Sequence, residues 1–151
     1  MKVLIGVDGS APSQAAIDWV KTWEWEPGSR FIVVSAAPPI VVYASAEVPV
    51  PATMLPELIE EPLREARAIV ARAEREFADA GLEAEARAIE GDPREVLVDT
   101  ATREVADLMV VGSHGRTGLE KLLIGSVASH VVSHAPCTVI VARKPGPNPR
   151  K

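Results

Sequence analysis

The chain opens on an apolar run, Lys2 to Val7 (Lys2, Val3, Leu4, Ile5, Gly6, Val7), of the kind buried on both faces of a parallel sheet. Asp8, Gly9 and Ser10 follow. Ser10 is placed as an N-cap and Pro12 in a first helical turn, and Ala16, Trp19, Val20 and Trp23 recur at helical spacing. Pro27-Gly28 breaks the chain before a second apolar strand, Phe31 to Ala36. From Leu63 to Ala80, a helix is predicted with Leu63, Ala66, Val70, Ala73, Phe77 and Ala80 on one face, ended by Gly81. Leu82, Ala84, Ala86 and Ala88 alternate with Glu83, Glu85 and Arg87, which fits an edge strand protected by charge. Asp92 as N-cap, Pro93 at the first helical position and Glu95 at the capping-box position start another helix, with Val96, Leu97, Thr100 and Ala101 inward. Leu108 to Val111 reads as a buried strand and Ser126 to about His134 as a helix, with Val127, Ala128, Val131 and Val132 at helical spacing. Ala135-Pro136 ends that helix, and Thr138 to Ala142 forms the last strand. Strand and helix thus alternate throughout, which implies an α/β chain with a doubly wound parallel sheet and right-handed crossovers.

Two segments depart from this rhythm. Pro38, Pro39, Pro49, Pro51, Pro56 and Pro62 fall in one stretch with Val41, Val42, Tyr43, Val48 and Met54. Prolines remove donors and disfavour helix, so residues 38–62 read as a long irregular connection, either a lid or interaction surface or a solvated crossover. Lys144 to Lys151 carries three prolines between basic ends and reads as a disordered tail, leaving 1–143 as one domain. A length of 151 residues suits a single domain able to bury a core without staples. The net charge of -5 argues against a nucleic-acid partner. The single cysteine, Cys137, excludes an internal disulfide and reads as a small buried hydrophobe. No signal-peptide pattern follows Met1 and no apolar run approaches membrane-spanning length, so a cytoplasmic protein with no membrane partner is expected.

Candidate chemistry concentrates after the strand ending at Val111. Gly112, Ser113, His114 and Gly115 are followed by nine residues, Arg116 to Ile124, and then by Gly125 and Ser126 at a helix start. Strand, glycine-punctuated loop and helix N-terminus together make an anion cradle, because unpaired amides converge and the helix dipole adds positive charge. A Cβ at Gly112, Gly115 or Gly125 would obstruct an approaching phosphate or forbid the φ required. Ser126 is placed to cap the helix and offer a hydroxyl. Asp8, at the carboxyl end of the first strand, reads either as a ligand for ribose, base or metal or as a turn former bonded to local amides. His130 and His134 are four apart on a helix without an accompanying Glu or a third ligand, so solvated histidines are the plainer reading. His114 lies inside the loop, where it reads either as a group whose protonation favours a phosphate or as a structural part of the loop.

The spacing of Gly112, Gly115, Gly125 and Ser126 resembles the nucleotide-binding signature of the universal stress protein family, in its ATP-binding branch: Gly, two residues, Gly, nine residues, Gly and Ser or Thr. Gly91-Asp92-Pro93 matches a helix start common in that family. The resemblance runs from the first strand to the last. It implies a Rossmann-like, five-stranded parallel sheet of order 3-2-1-4-5 with helices on both faces, in which strands one and four meet at a switch point. It also implies that Gly6, Val7 and Asp8 line the base and ribose end, with Ala36 meeting adenine through its backbone. Val111 and Gly112 would flank ribose and phosphates, while Gly115, Gly125, Ser126 and Val127 would hold the phosphates and Arg116 could add a charge. The proline-rich segment is not a family signature.

The function expected is an ATP-binding regulatory protein of a stress response with at most slow hydrolysis, taking ATP, or ADP or AMP, with Mg2+ at Asp8 if a metal is used. The alternatives are a Mg-dependent ATPase or phosphotransferase, and a nucleotide-independent dimeric interaction module. A P-loop and a dinucleotide fingerprint are both missing, and no nucleophile has a convincing base, so no catalytic residue is assigned. The resembled family pairs its last strands, which makes Thr138 to Ala142 the expected homodimer edge.

Overall fold

The computed structural model describes residues 1–40, 51–116 and 124–143. The runs without polar alternation become interior strands: β1 (Lys2–Gly6), β2 (Arg30–Ala37) and β4 (Leu108–Gly112). The short β5 (Thr138–Ala142) and the alternating β3 (Ala84–Glu90) form the edges. The sheet is parallel throughout, in the order β3-β2-β1-β4-β5. Among the described residues four helices connect the strands: α1 (Ala11–Lys21), α2 (Leu55–Asp79), α3 (Pro93–Glu104) and α4 (Ser126–His134).

Period-two geometry sends successive side chains to opposite faces, so an all-apolar strand must be covered on both. Val3, Ile5, Phe31, Val33 and Val110 face α1 and α2, where Ile17, Val20, Val70 and Phe77 close one core. Leu4, Ile32, Val34, Met109 and Val111 face α3 and α4, where Leu97, Ala101, Ala128 and Val131 close the other. Full burial of each such side chain contributes roughly 1.5–3 kcal/mol.

The helix starts follow local rules. Ser10 caps α1 by accepting the Ser13 amide at 3.2 Å. Asp92 caps α3 through the Arg94 amide and also grips the Arg94 guanidinium, which holds its carboxyl down at about 2. α3 ends on Val105, exposed and in the left-handed region at φ 52°, where glycine is the usual choice.

The structure corrects several expectations. α2 starts at Leu55, not near Leu63: Pro56 lies in its first turn and Pro62 inside the helix. Residues 56–61 are exposed, so water can satisfy the carbonyl that Pro62 leaves without an amide, and helix propagates outward from a well-packed C-terminal half. Val41, Val42, Tyr43, Val48 and Pro49 fall outside the described residues, as does the 144–151 tail. α1 stops before Trp23, which is 56% exposed and lies against Trp19 rather than in the core. Val132 faces solvent. Cys137 is half-buried, and burial pushes its thiol pKa up. Among the described residues, no helix is long and apolar enough to cross a membrane.

Candidate functional site

β1 and β4 are neighbours, with Gly6 opposite Val111, and their following helices pack on different faces of the sheet. Such a reversal opens a crevice beyond the strand ends. Here it forms a cavity of about 430 Å³.

The exit of β1 is a closed local network. Asp8 Oδ1 accepts the Ser10 amide at 2.9 Å. Ser13 Oγ donates to the Ser10 carbonyl at 3.0 Å and accepts the Asp8 amide at 3.4 Å. Gly9 supplies the positive φ of 77° that this tight turn requires. Asp8 is therefore a turn former, yet only half of its carboxylate is used. Oδ2 accepts no hydrogen bond among the described residues and faces Gly115, 3.0 Å from where a Cβ there would stand.

The exit of β4 is tied to distant elements. The Ser113 amide donates to the Ala142 carbonyl at 2.9 Å, and the Gly125 amide donates to Ser113 at 2.7 Å, so both ends of the glycine loop are pinned together. Packing gives two of these glycines a reason of its own. A Cβ on Gly112 would stand 2.5 Å from the Pro12 carbonyl carbon and 2.6 Å from the Ser13 amide nitrogen. This glycine lets the first turn of α1 close on the sheet. On Gly125 a Cβ would meet the His114 Cα at 3.1 Å. Nor does left-handed backbone explain them: among the described glycines, positive φ occurs at Gly9, Gly28, Gly81 and Gly91.

Gly125, not Ser126, is the N-cap of α4, and Ser126 makes no capping bond. The Ser126, Val127 and Ala128 amides thus belong to the first turn, where helical geometry supplies no acceptor, and all three residues line the cavity. With the dipole behind them, these amides are the kind of donors that an anion can accept from. His114 Nδ1 lies 3.1 Å from Ser113 Oγ.

Arg116 crosses the mouth of the cavity. Its Nε donates to the Asp8 carbonyl at 2.7 Å, while Nη1 and Nη2 each reach a Glu65 carboxylate oxygen at 2.9 Å. That bidentate partner raises the guanidinium pKa further.

All eleven candidate residues, Gly6, Val7, Asp8, Ala36, Val111, Gly112, Gly115, Arg116, Gly125, Ser126 and Val127, line this one cavity. Sequence reasoning missed the wall contributed by α2: Pro62, Glu65, Ala66 and Ile69. Their spacing of three, four and seven marks one helix face, but Glu65 reads as part of the solvated side until the tertiary packing is known. Ser13, Ser35 and Leu97 also border the cavity. His130 and His134 do not. Their rings stack with centroids 4.1 Å apart and His134 Nδ1 lies 2.9 Å from the His130 carbonyl. Among the described residues, no group of three His, Cys, Asp or Glu could hold a metal ion.

A model of the universal stress protein family matches residues 1–143. A universal stress protein of Methanocaldococcus jannaschii, MJ0531, is 34% identical over 149 residues, covering 95% of this chain and 82% of that protein. Among solved structures, MJ0577 of the same organism superposes with a TM-score of 0.79 at 25% identity, covering 97% of each chain. A universal stress protein in complex with cAMP superposes with a TM-score of 0.65 at 26% identity, covering 95% of this chain and 96% of that one.

Proposed function

The chain belongs to the universal stress protein family, and from that membership we propose that it is an adenine-nucleotide-binding regulator of a stress response. Its preferred ligand on this reading is ATP, hydrolysed slowly if at all. The observation that carries the proposal is the convergence of the β1 exit, the β4 exit and the unpaired first-turn amides of α4 on a single cavity. A solved relative of 26% identity holds cAMP, which supports the adenine class.

The residues fit a nucleotide in three respects. The α4 amides donate to phosphate oxygens without any need for a strongly basic protein, in keeping with the net charge of -5. Apolar Ala36, Pro38 and Val127 supply surface for a base. Asp8 Oδ2, left unused by its own turn, would meet ribose hydroxyls or hold Mg2+, which commonly sits between one or two carboxylates and substrate phosphates. In this arrangement Asp8 orients the nucleotide, the glycine loop and α4 hold its phosphates, and the residues named provide no activated nucleophile. The β5 edge is proposed as the seam of a cytoplasmic homodimer, since among the described residues no strand pairs with its outer side and its sequence carries no charge.

Mass spectrometry of the purified, denatured protein tests the ligand, followed by titration calorimetry with ATP, ADP and AMP, with and without Mg2+. Near-stoichiometric ATP is expected. No co-purified nucleotide and no heat with any of the three would overturn the reading. For the dimer, light scattering at micromolar concentration is expected to give twice the 16.1 kDa chain mass, and Ile140→Lys to give the monomer.

A further inference from the structure

Of the described residues that line the cavity, Arg116 is the one permanent cation, and its charge is already engaged. Both terminal nitrogens serve Glu65 and Nε serves the Asp8 carbonyl. Glu65 stands on α2, three residues after Pro62, the point at which that helix lacks a backbone donor. The pair therefore ties the glycine loop to α2 across the mouth of the cavity. Both side chains are about half exposed (49% and 50%), and an ion pair so exposed is weakly held and easily exchanged.

We propose that Arg116–Glu65 is a phosphate-sensitive latch: the phosphate chain of a nucleotide takes Arg116 from Glu65, so that Glu65 sets selectivity by phosphate charge and α2 reports occupancy. This rests on the nucleotide reading above. A guanidinium prefers the bidentate acceptor of higher charge, so the more phosphates a ligand carries, the better it competes with one carboxylate. Linkage then fixes the sign: a ligand that opens the latch binds better when the latch is already weakened. Phosphate-free adenosine neither gains nor loses from the latch.

Calorimetry with adenosine, AMP and ATP on the wild type, Glu65→Gln, Arg116→Gln and the double variant tests this. Glu65→Gln is expected to leave adenosine unchanged and to tighten AMP less than ATP, the latter by roughly five- to tenfold. The gain is expected to shrink in 0.5 M salt, as exposed charges are screened. In the Arg116→Gln background it is expected to vanish, because Glu65 has nothing to sequester. A gain of equal size for all three ligands overturns the latch, as does one that persists without Arg116, since Glu65 would then act through its own charge. If the wild type binds nucleotides and the series is flat, the latch alone fails. If no ligand binds any form, the nucleotide reading fails with it.

Discussion

The two strand exits that meet at the cavity are built in opposite ways. The β1 exit is shaped within six residues, by the hydrogen bonds that Asp8, Ser10 and Ser13 make with one another, and only the Asp8 carbonyl turns outward, to Arg116. The β4 exit leans on distant elements: the Ala142 carbonyl accepts the Ser113 amide, the Pro12 backbone packs on Gly112, and the Asp8 carbonyl and Glu65 hold Arg116. A local turn keeps its shape whatever its neighbours do. A strand exit held by distant elements takes its shape from the packing, so a change there is felt by each holder.

The sharpest way to break this contrast is Gly112→Ala. Its Cβ would press on backbone, which cannot rotate away, so a loss of about 2–3 kcal/mol is expected in denaturant unfolding. A loss within 0.5 kcal/mol would mean that α1 is free to move and that the β4 exit is not keyed to it. Gly125→Ala meets its neighbours at 3.1–3.2 Å and is expected to cost about 1 kcal/mol. Its larger consequence should be weaker phosphate binding, as the pinned loop ends separate. Ser10→Ala removes a local cap and is expected to cost about 1 kcal/mol, with nucleotide affinity little changed. Ser126→Ala is its mirror. Lacking a capping bond, it should change stability by less than about 0.5 kcal/mol, while ATP affinity falls because a hydroxyl leaves the cavity. If the two serines show the same split between stability and affinity, the distinction between the exits is lost.

Much of the architecture is legible from single residues. The apolar runs of β1, β2 and β4, the charged alternation of β3, and the starts at Ser10 and Asp92 all follow from interactions within a few residues. So do the inward faces of α3 and α4, apart from Val132. The first two turns of α2 were hidden because Pro56 and Pro62 argue locally against helix, whereas the burial that stabilises the helix lies beyond them, from Ala66 to Phe77. Val105 was equally hidden, since its left-handed φ is imposed by the tight return from α3 into β4.

In the site, spacing alone marked the glycine loop and the end of the first strand, and the resemblance joined them. What it could not supply was the reason for each residue. Gly112 is small to admit α1, Gly125 to admit the loop, and Ser126 is outside the cap. Sequence by itself determined the elements, their order and the class of the fold, because periodicity and capping act over a few residues. Only the tertiary structure decided that α2 walls the cavity and that Arg116 is held by Glu65, 51 residues away in sequence, because contacts between elements depend on how the faces pack.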